Sequence, residues 1–298
     1  MNNVLKTVLC IAKLLVYYAL YQLLFTYVGG IICMAYSVVV DGYSTETLLA
    51  LTDNMSNPES PFFAWSMSLG LFMSSLTMLW HLCHFGYFNF GKSPFRQVKA
   101  NVMLASVVLI FCSMAMFNYL AQLTELPDQL ALQMAQMAKN LFGVFAIAVL
   151  GPILEEVLFR GAIQGMLMRR FNNPWVGIVL ASIIFGVIHI NPIQVFYAFC
   201  LGMVLGWLYY RTGSLMPSII GHVLNNSLAA FTMYLGIEDT EIMLEVERST
   251  EVISFILLAV VAVVMLYFIN KKQPAVPVPW RAVGDEEPKG EILLNTEE

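Results

Sequence analysis

The chain has 298 residues, of which 59% are apolar and only 12% charged, and its mean hydropathy of +0.73 leaves too little polar surface for a soluble domain of that size. The net charge of −5 is distributed by loop, and the sequence shows no Walker or dinucleotide glycine fingerprint, no internal repeat and no basic aromatic surface for nucleic acid. These features describe an integral membrane protein.

Apolar runs of the roughly 20 residues needed to cross hydrocarbon as helices recur along the chain. The predicted spans are 4–40, which is overlong and includes Gly29-Gly30, then 62–85, 100–123, 140–168, 174–190, 192–210, 215–236 and 252–269. Continuous runs without two-residue alternation argue against a β-barrel. The expectation is an all-α, polytopic transmembrane bundle of about eight spans. The first apolar stretch far exceeds a signal-peptide core and reads as a retained helix.

Lys and Arg set the orientation. Lys92, Arg96 and Lys99, then Arg169 and Arg170, then Arg211 fall in alternate loops, which are expected to be cytoplasmic. The loops between them carry Asp41, Glu46, Asp53 and Glu59, then Glu125 and Asp128, then Glu238, Asp239, Glu241, Glu245, Glu247 and Glu251. With Lys6 and Lys13 at one end and Lys271 and Lys272 at the other, both termini are expected inside, in an inner or plasma membrane. Four regions follow: N-terminal helices (1–139), a polar-bearing core (140–236), an outer loop and last helix (237–270), and a Pro- and acid-rich, disordered cytoplasmic tail (271–298). Cys10, Cys33, Cys83, Cys112 and Cys200 are scattered without pairing motifs and read as small apolar fillers.

Polar residues inside spans four, five and seven carry the chemistry. A charge near the bilayer centre costs at least about 2.5–3.5 kcal/mol, so Glu155, Glu156 and Arg160 need a reason to be there. Glu156 and Arg160, four apart, share a helix face and can neutralise each other, while Glu155 lies about 100° away and points elsewhere. His189 lies one turn beyond Phe185, and His222 and Asn226 share a face of span seven. A Glu–Arg pair serves equally well as a packing device, and an Asn as interhelical glue. Counted at 1.5 Å per residue from the basic ends, however, Glu155, His189, His222 and Asn226 fall in one layer roughly 14–22 Å deep.

A carboxylate and an imidazole sharing a water form a general-base arrangement, and a second His with an Asn amide can donate to an oxyanion. Ser182 and Ser227 are nearby in sequence, but nothing assembles a Ser-His-Asp triad. Glu155, His189 and His222 are also zinc-ligand types, although no HExxH spacing supports zinc.

Glu155-Glu156-Val-Leu-Phe-Arg160, Phe185-Gly-Val-Ile-His189 and His222-Val-Leu-Asn-Asn226 follow, in order, the EExxxR, FxxxH and HxxxN pattern. Over about 141–235 the chain therefore resembles the CPBP intramembrane proteases, which include the CAAX prenyl endopeptidases and the Abi proteins linked to bacteriocin self-immunity. The resemblance implies a membrane-embedded endopeptidase in which Glu155 and His189 activate water and His222 and Asn226 stabilise the oxyanion. Glu156 and Arg160 would brace the helix, and Phe185 would wall the pocket. The substrate expected is a membrane-associated peptide or lipidated protein met among membrane lipids. The family has been described as both metal-dependent and glutamate-type, and the spacing here favours the glutamate type. Two alternatives are a non-catalytic immunity or scaffold protein and, last, a proton-coupled transporter, which would be expected to show paired repeats.

Overall fold

The computed structural model describes residues 3–42, 44, 46, 49, 57, 59–88, 94–124, 130–235 and 248–273. Among the described residues there is no strand, and nine helices follow one another. They are α1 (Asn3–Asp41), α2 (Pro61–His84), α3 (Ala100–Gln122), α4 (Ala131–Ala138), α5 (Leu141–Phe171), α6 (Pro174–Val187), α7 (Pro192–Thr212), α8 (Met216–Leu235) and α9 (Arg248–Lys272). The predicted tail beyond Gln273 and most acidic loop residues, from Asp53 through Glu125 and Asp128 to the 238–247 group, lie outside the described residues, as does Lys92.

Each of the eight expected spans has its helix, but six are long and apolar enough to cross a membrane by length and composition: α1, α2, α3, α5, α7 and α9. The other two fall short for different reasons. With 14 residues, α6 covers only about 21 Å at α-helical rise, whereas α8 is long enough but diluted by His222, Asn225 and Asn226. The sequence reading did not anticipate α4, an eight-residue helix that tucks Met137 and Ala138 inside.

Local signals set the helix ends. Ser60 caps α2 by accepting from the Phe63 N–H, with Pro61 in the first turn, and Asn140 caps α5 by accepting from the Gly143 N–H at 2.7 Å. At the basic end of α5, Asn172 adopts a left-handed φ of 48° and Asn173 then caps α6, giving a tight reversal between neighbours. Several hydroxyls within the helices are satisfied locally. Ser68, Ser106, Ser113 and Ser182 each donate to a carbonyl four residues back, as an apolar surround requires.

Two apolar clusters organise the bundle. One joins α1 and α2 to α5 and α6 through Leu14, Met78, Leu82, Leu158, Phe159 and Phe185. The other joins α3 and α7 to α9 through Val102, Leu109, Leu201, Leu205 and Ile269. The α1–α2 contact is the most extensive, and it depends on close backbone approach: a Cβ on Gly70 would meet the Thr26 Cα at 2.6 Å. α5 passes between the α2 side and α8, placing its carboxylates in the interior.

Candidate active site

The fourth span is not a uniform α-helix. Ala146–Leu150 and Glu156–Gln164 are π-helical, separated by the α-helical turn Gly151–Glu155. Proline accounts for one consequence. The Gly151 N–H bonds Ala146 O, five residues back, and in that register Ile147 O awaits the N–H of residue 152, which is a proline and has none. The orphaned carbonyl finds a donor on another helix, Asn226 Nδ2 of α8, at 3.2 Å. Asn226 is itself oriented by a relay: Tyr197 Oη donates to Asn225 Oδ1 at 2.6 Å, and Asn225 Nδ2 donates to Asn226 Oδ1 at 2.8 Å. One Asn226 N–H is thus structural, and an amide has a second.

Glu156 and Arg160 are both fully buried and paired at 2.9 Å, with the guanidinium stacked 4.4 Å from the centre of the Phe185 ring and 3.4 Å from Gly202 O. Glu156 Oε1 also lies 2.9 Å from His222 Nδ1. An ionised carboxylate only accepts, so Nδ1 carries the proton and Nε2 is the nitrogen turned toward the rest of the site. That Nε2 faces Glu155 Oε2 at 3.6 Å.

Here the structure departs from the α-helical reading, in which Glu155 points away from the Glu156 face. Both glutamates meet the same imidazole, one on each nitrogen. The π-helical turn that begins at Glu156 holds more residues than an α turn, so consecutive side chains splay by less than about 100°. The two carboxylates differ in setting: Glu156 is sealed, whereas the Glu155 side chain keeps 17% of its exposure.

His189 approaches from the α6–α7 turn, where Ile190 takes a left-handed φ of 61°. Its Nδ1 lies 2.7 Å from Phe185 O, a pure acceptor, so Nδ1 carries the proton and a neutral ring presents its lone pair at Nε2. The Phe185 ring stands edge-on between the imidazoles, with centroids 4.9 Å from His189 and 5.8 Å from His222. The structure therefore brings Glu155, Glu156, Arg160, Phe185 and His222 into direct contact and joins His189 to them through Phe185. Asn226 lies one turn beyond His222, on the first π-helical segment. Ser182 is committed to Ile178 O at 2.7 Å.

Sequence reasoning missed Gln164. Fully buried, it continues the four-residue series Glu156, Arg160, Gln164, and that spacing was the available signal. Its Nε2 donates to Gly206 O at 2.9 Å, so Arg160 and Gln164 both anchor α5 on the small-residue face of α7. It also missed Asn225 and Tyr197, whose relay joins residues from different helices.

Glu155, His189 and His222, the zinc-ligand types of the sequence, are not gathered about one point. Among the described residues no three His, Cys, Asp or Glu side chains converge as a metal site, and His222 directs its two nitrogens at different carboxylates.

Fold and site together define an integral, multi-pass helical membrane protein with a buried carboxylate–imidazole centre. Residues 137–228 match the family model described as Type II CAAX prenyl endopeptidase Rce1-like. The chain is also similar to a Bacillus subtilis (strain 168) protein named "Putative membrane peptidase YdiL", 30% identical over 108 residues. That match covers 36% of this chain and 42% of the relative, less than half of either. No solved structure matches the chain.

Proposed function

We propose that the protein is an intramembrane endopeptidase that hydrolyses a peptide bond of a membrane-associated substrate with water activated at Glu155. The observation that carries this reading is the unequal use of two adjacent glutamates: Glu156 is sealed in an ion pair with Arg160 and fixes His222 through Nδ1, while Glu155 stays accessible opposite His222 Nε2. A packing device needs only the first half of that arrangement.

In the proposed reaction, Glu155 takes a proton from water as the water oxygen bonds to the substrate carbonyl carbon, and the π electrons of the carbonyl move onto its oxygen. His189 Nε2 shares the water as a second acceptor. In its doubly protonated form His222 keeps Nδ1–H on Glu156 and donates Nε2–H to the oxyanion, beside the second N–H of Asn226. Collapse of the intermediate breaks the C–N bond, and the proton held by Glu155 passes to the leaving nitrogen. Glu156, Arg160 and Phe185 hold the frame. The family match and the similarity to a protein named as a membrane peptidase support a protease; a lipid-modified substrate is the narrower form of the same proposal.

The test is cleavage of a membrane-extracted peptide library by the detergent-purified protein. The parent should cleave, and Glu155→Gln should lose about 10²–10⁴ in rate, the usual worth of a general base. A zinc chelator should leave the parent rate unchanged. A folded parent that cleaves nothing would overturn the protease reading, and chelator sensitivity would overturn the glutamate mechanism.

A further inference from the structure

The motifs lie in the second half of the chain, but the first helix packs against the helix that carries the two glutamates. Two contacts fix α1 against the basic end of α5: Arg170 Nε donates to Thr7 Oγ1 at 2.9 Å, and Cys10 Sγ meets Met166 Sδ at 3.7 Å. The two helices run in opposite directions from this point. Tyr18 is eight residues beyond Cys10, about 12 Å along α1. Glu155 is eleven residues before Met166, roughly 16 Å at α-helical rise and less through the π-helical turns. A tyrosine side chain bridges the remaining difference.

Rotation about α1 is fixed as well. Tyr17 and Tyr21 turn to α2, where Tyr17 lies 4.7 Å from His81 between centroids and the Tyr21 hydroxyl lies 2.9 Å from His81 Nδ1. Thr7, Ile11, Tyr18 and Gln22 recur at spacings of four, seven and four, so they form the neighbouring stripe that faces α5. Tyr18 packs on the core cluster that contains Leu154 and Leu158, lies within electrostatic reach of Glu155, and hydrogen-bonds the Gln22 side chain. An amide N–H donating into the phenol oxygen leaves the phenol O–H to donate elsewhere. A group placed between Tyr18 and Glu155 would accept from the phenol and donate to the carboxylate. Water does both.

We infer that Tyr18, oriented by Gln22, is a positioning residue of the Glu155 site: its O–H holds the water that Glu155 deprotonates, making α1 part of the active site. This rests on the hydrolytic reading above. The phenol keeps its proton throughout, so the stoichiometry of hydrolysis is unchanged.

The experiment measures kcat and KM on an internally quenched peptide chosen from the library as one the parent cleaves, using Tyr18→Phe, Gln22→Leu and Tyr17→Phe. Tyr18→Phe keeps the ring and removes the donor, so kcat should fall ten- to a hundredfold with KM within twofold and the thermal midpoint unchanged. Gln22→Leu should lower kcat in the same direction but less. Tyr17→Phe, which removes a phenol O–H one residue away, should stay within twofold of the parent. Combined with Glu155→Gln, Tyr18→Phe should add no further loss. If the parent and Tyr18→Phe cleave with equal kcat while Glu155→Gln is inactive, the Tyr18 assignment falls and the protease stands. If the folded parent is inactive, both fall.

Discussion

The fourth and last of the candidate spans, α5 and α9, both meet the length and hydropathy for crossing a membrane, yet they solve different problems. In α9 the most apolar window is 11% buried and its side chains, such as Val263 and Tyr267, mostly face outward. In α5 that window is 56% buried, and the helix carries a carboxylate pair, a guanidinium and an amide through two π-helical stretches. Apolar contact with lipid asks nothing of a helix beyond its backbone hydrogen bonds. Polar groups at the same depth ask for named partners, and α5 obtains them from α7 and α8.

The comparison can be broken most forcefully at Arg160. Arg160→Met leaves Glu156 buried without its cation and should destabilise the protein by about 3–5 kcal/mol, read from thermal unfolding in detergent. A loss below 1 kcal/mol would mean that the buried pair is dispensable. Next in size is Gly206→Val on α7. A Cβ there already meets Gln164 Oε1 at 2.8 Å, so the larger side chain should cost about 1–3 kcal/mol through overpacking.

A subtler effect sharpens the account of the π-helical break. Asn226→Ala removes the donor to Ile147 O, whereas Pro152→Ala gives that carbonyl a backbone N–H of its own. The double-mutant cycle should show about 1 kcal/mol of coupling, with Asn226→Ala costing less in the Pro152→Ala background. Strict additivity would remove the link between the two residues. Smallest of all, Val263→Leu on the outward face of α9 should stay within about 0.5 kcal/mol of the parent.

The same contrast explains what could be read from the chain beforehand. Apolar length located a helix for every expected span, because spanning helices are set by local composition. Spacing of four placed Glu156 with Arg160, since that relation survives in both α and π turns. The convergence of Glu155 and Glu156 on one imidazole was hidden, because it depends on a π-helical register that hydropathy does not encode. Tyr18 was hidden for another reason: nothing local in an apolar helix marks the tyrosine that faces a carboxylate 137 positions later. Pro152 was visible, but the partner that compensates for it, Asn226, could be recognised only once α8 was placed against α5.

The most direct test of the central claim compares Glu155→Gln with Glu156→Gln, recording cleavage and thermal unfolding on the same preparations. The account predicts that Glu155→Gln abolishes cleavage with an unchanged thermal midpoint, while Glu156→Gln, which strips the charge partner from Arg160, lowers the midpoint by several degrees. Loss of stability in Glu155→Gln with cleavage retained would contradict the division of labour between the two glutamates.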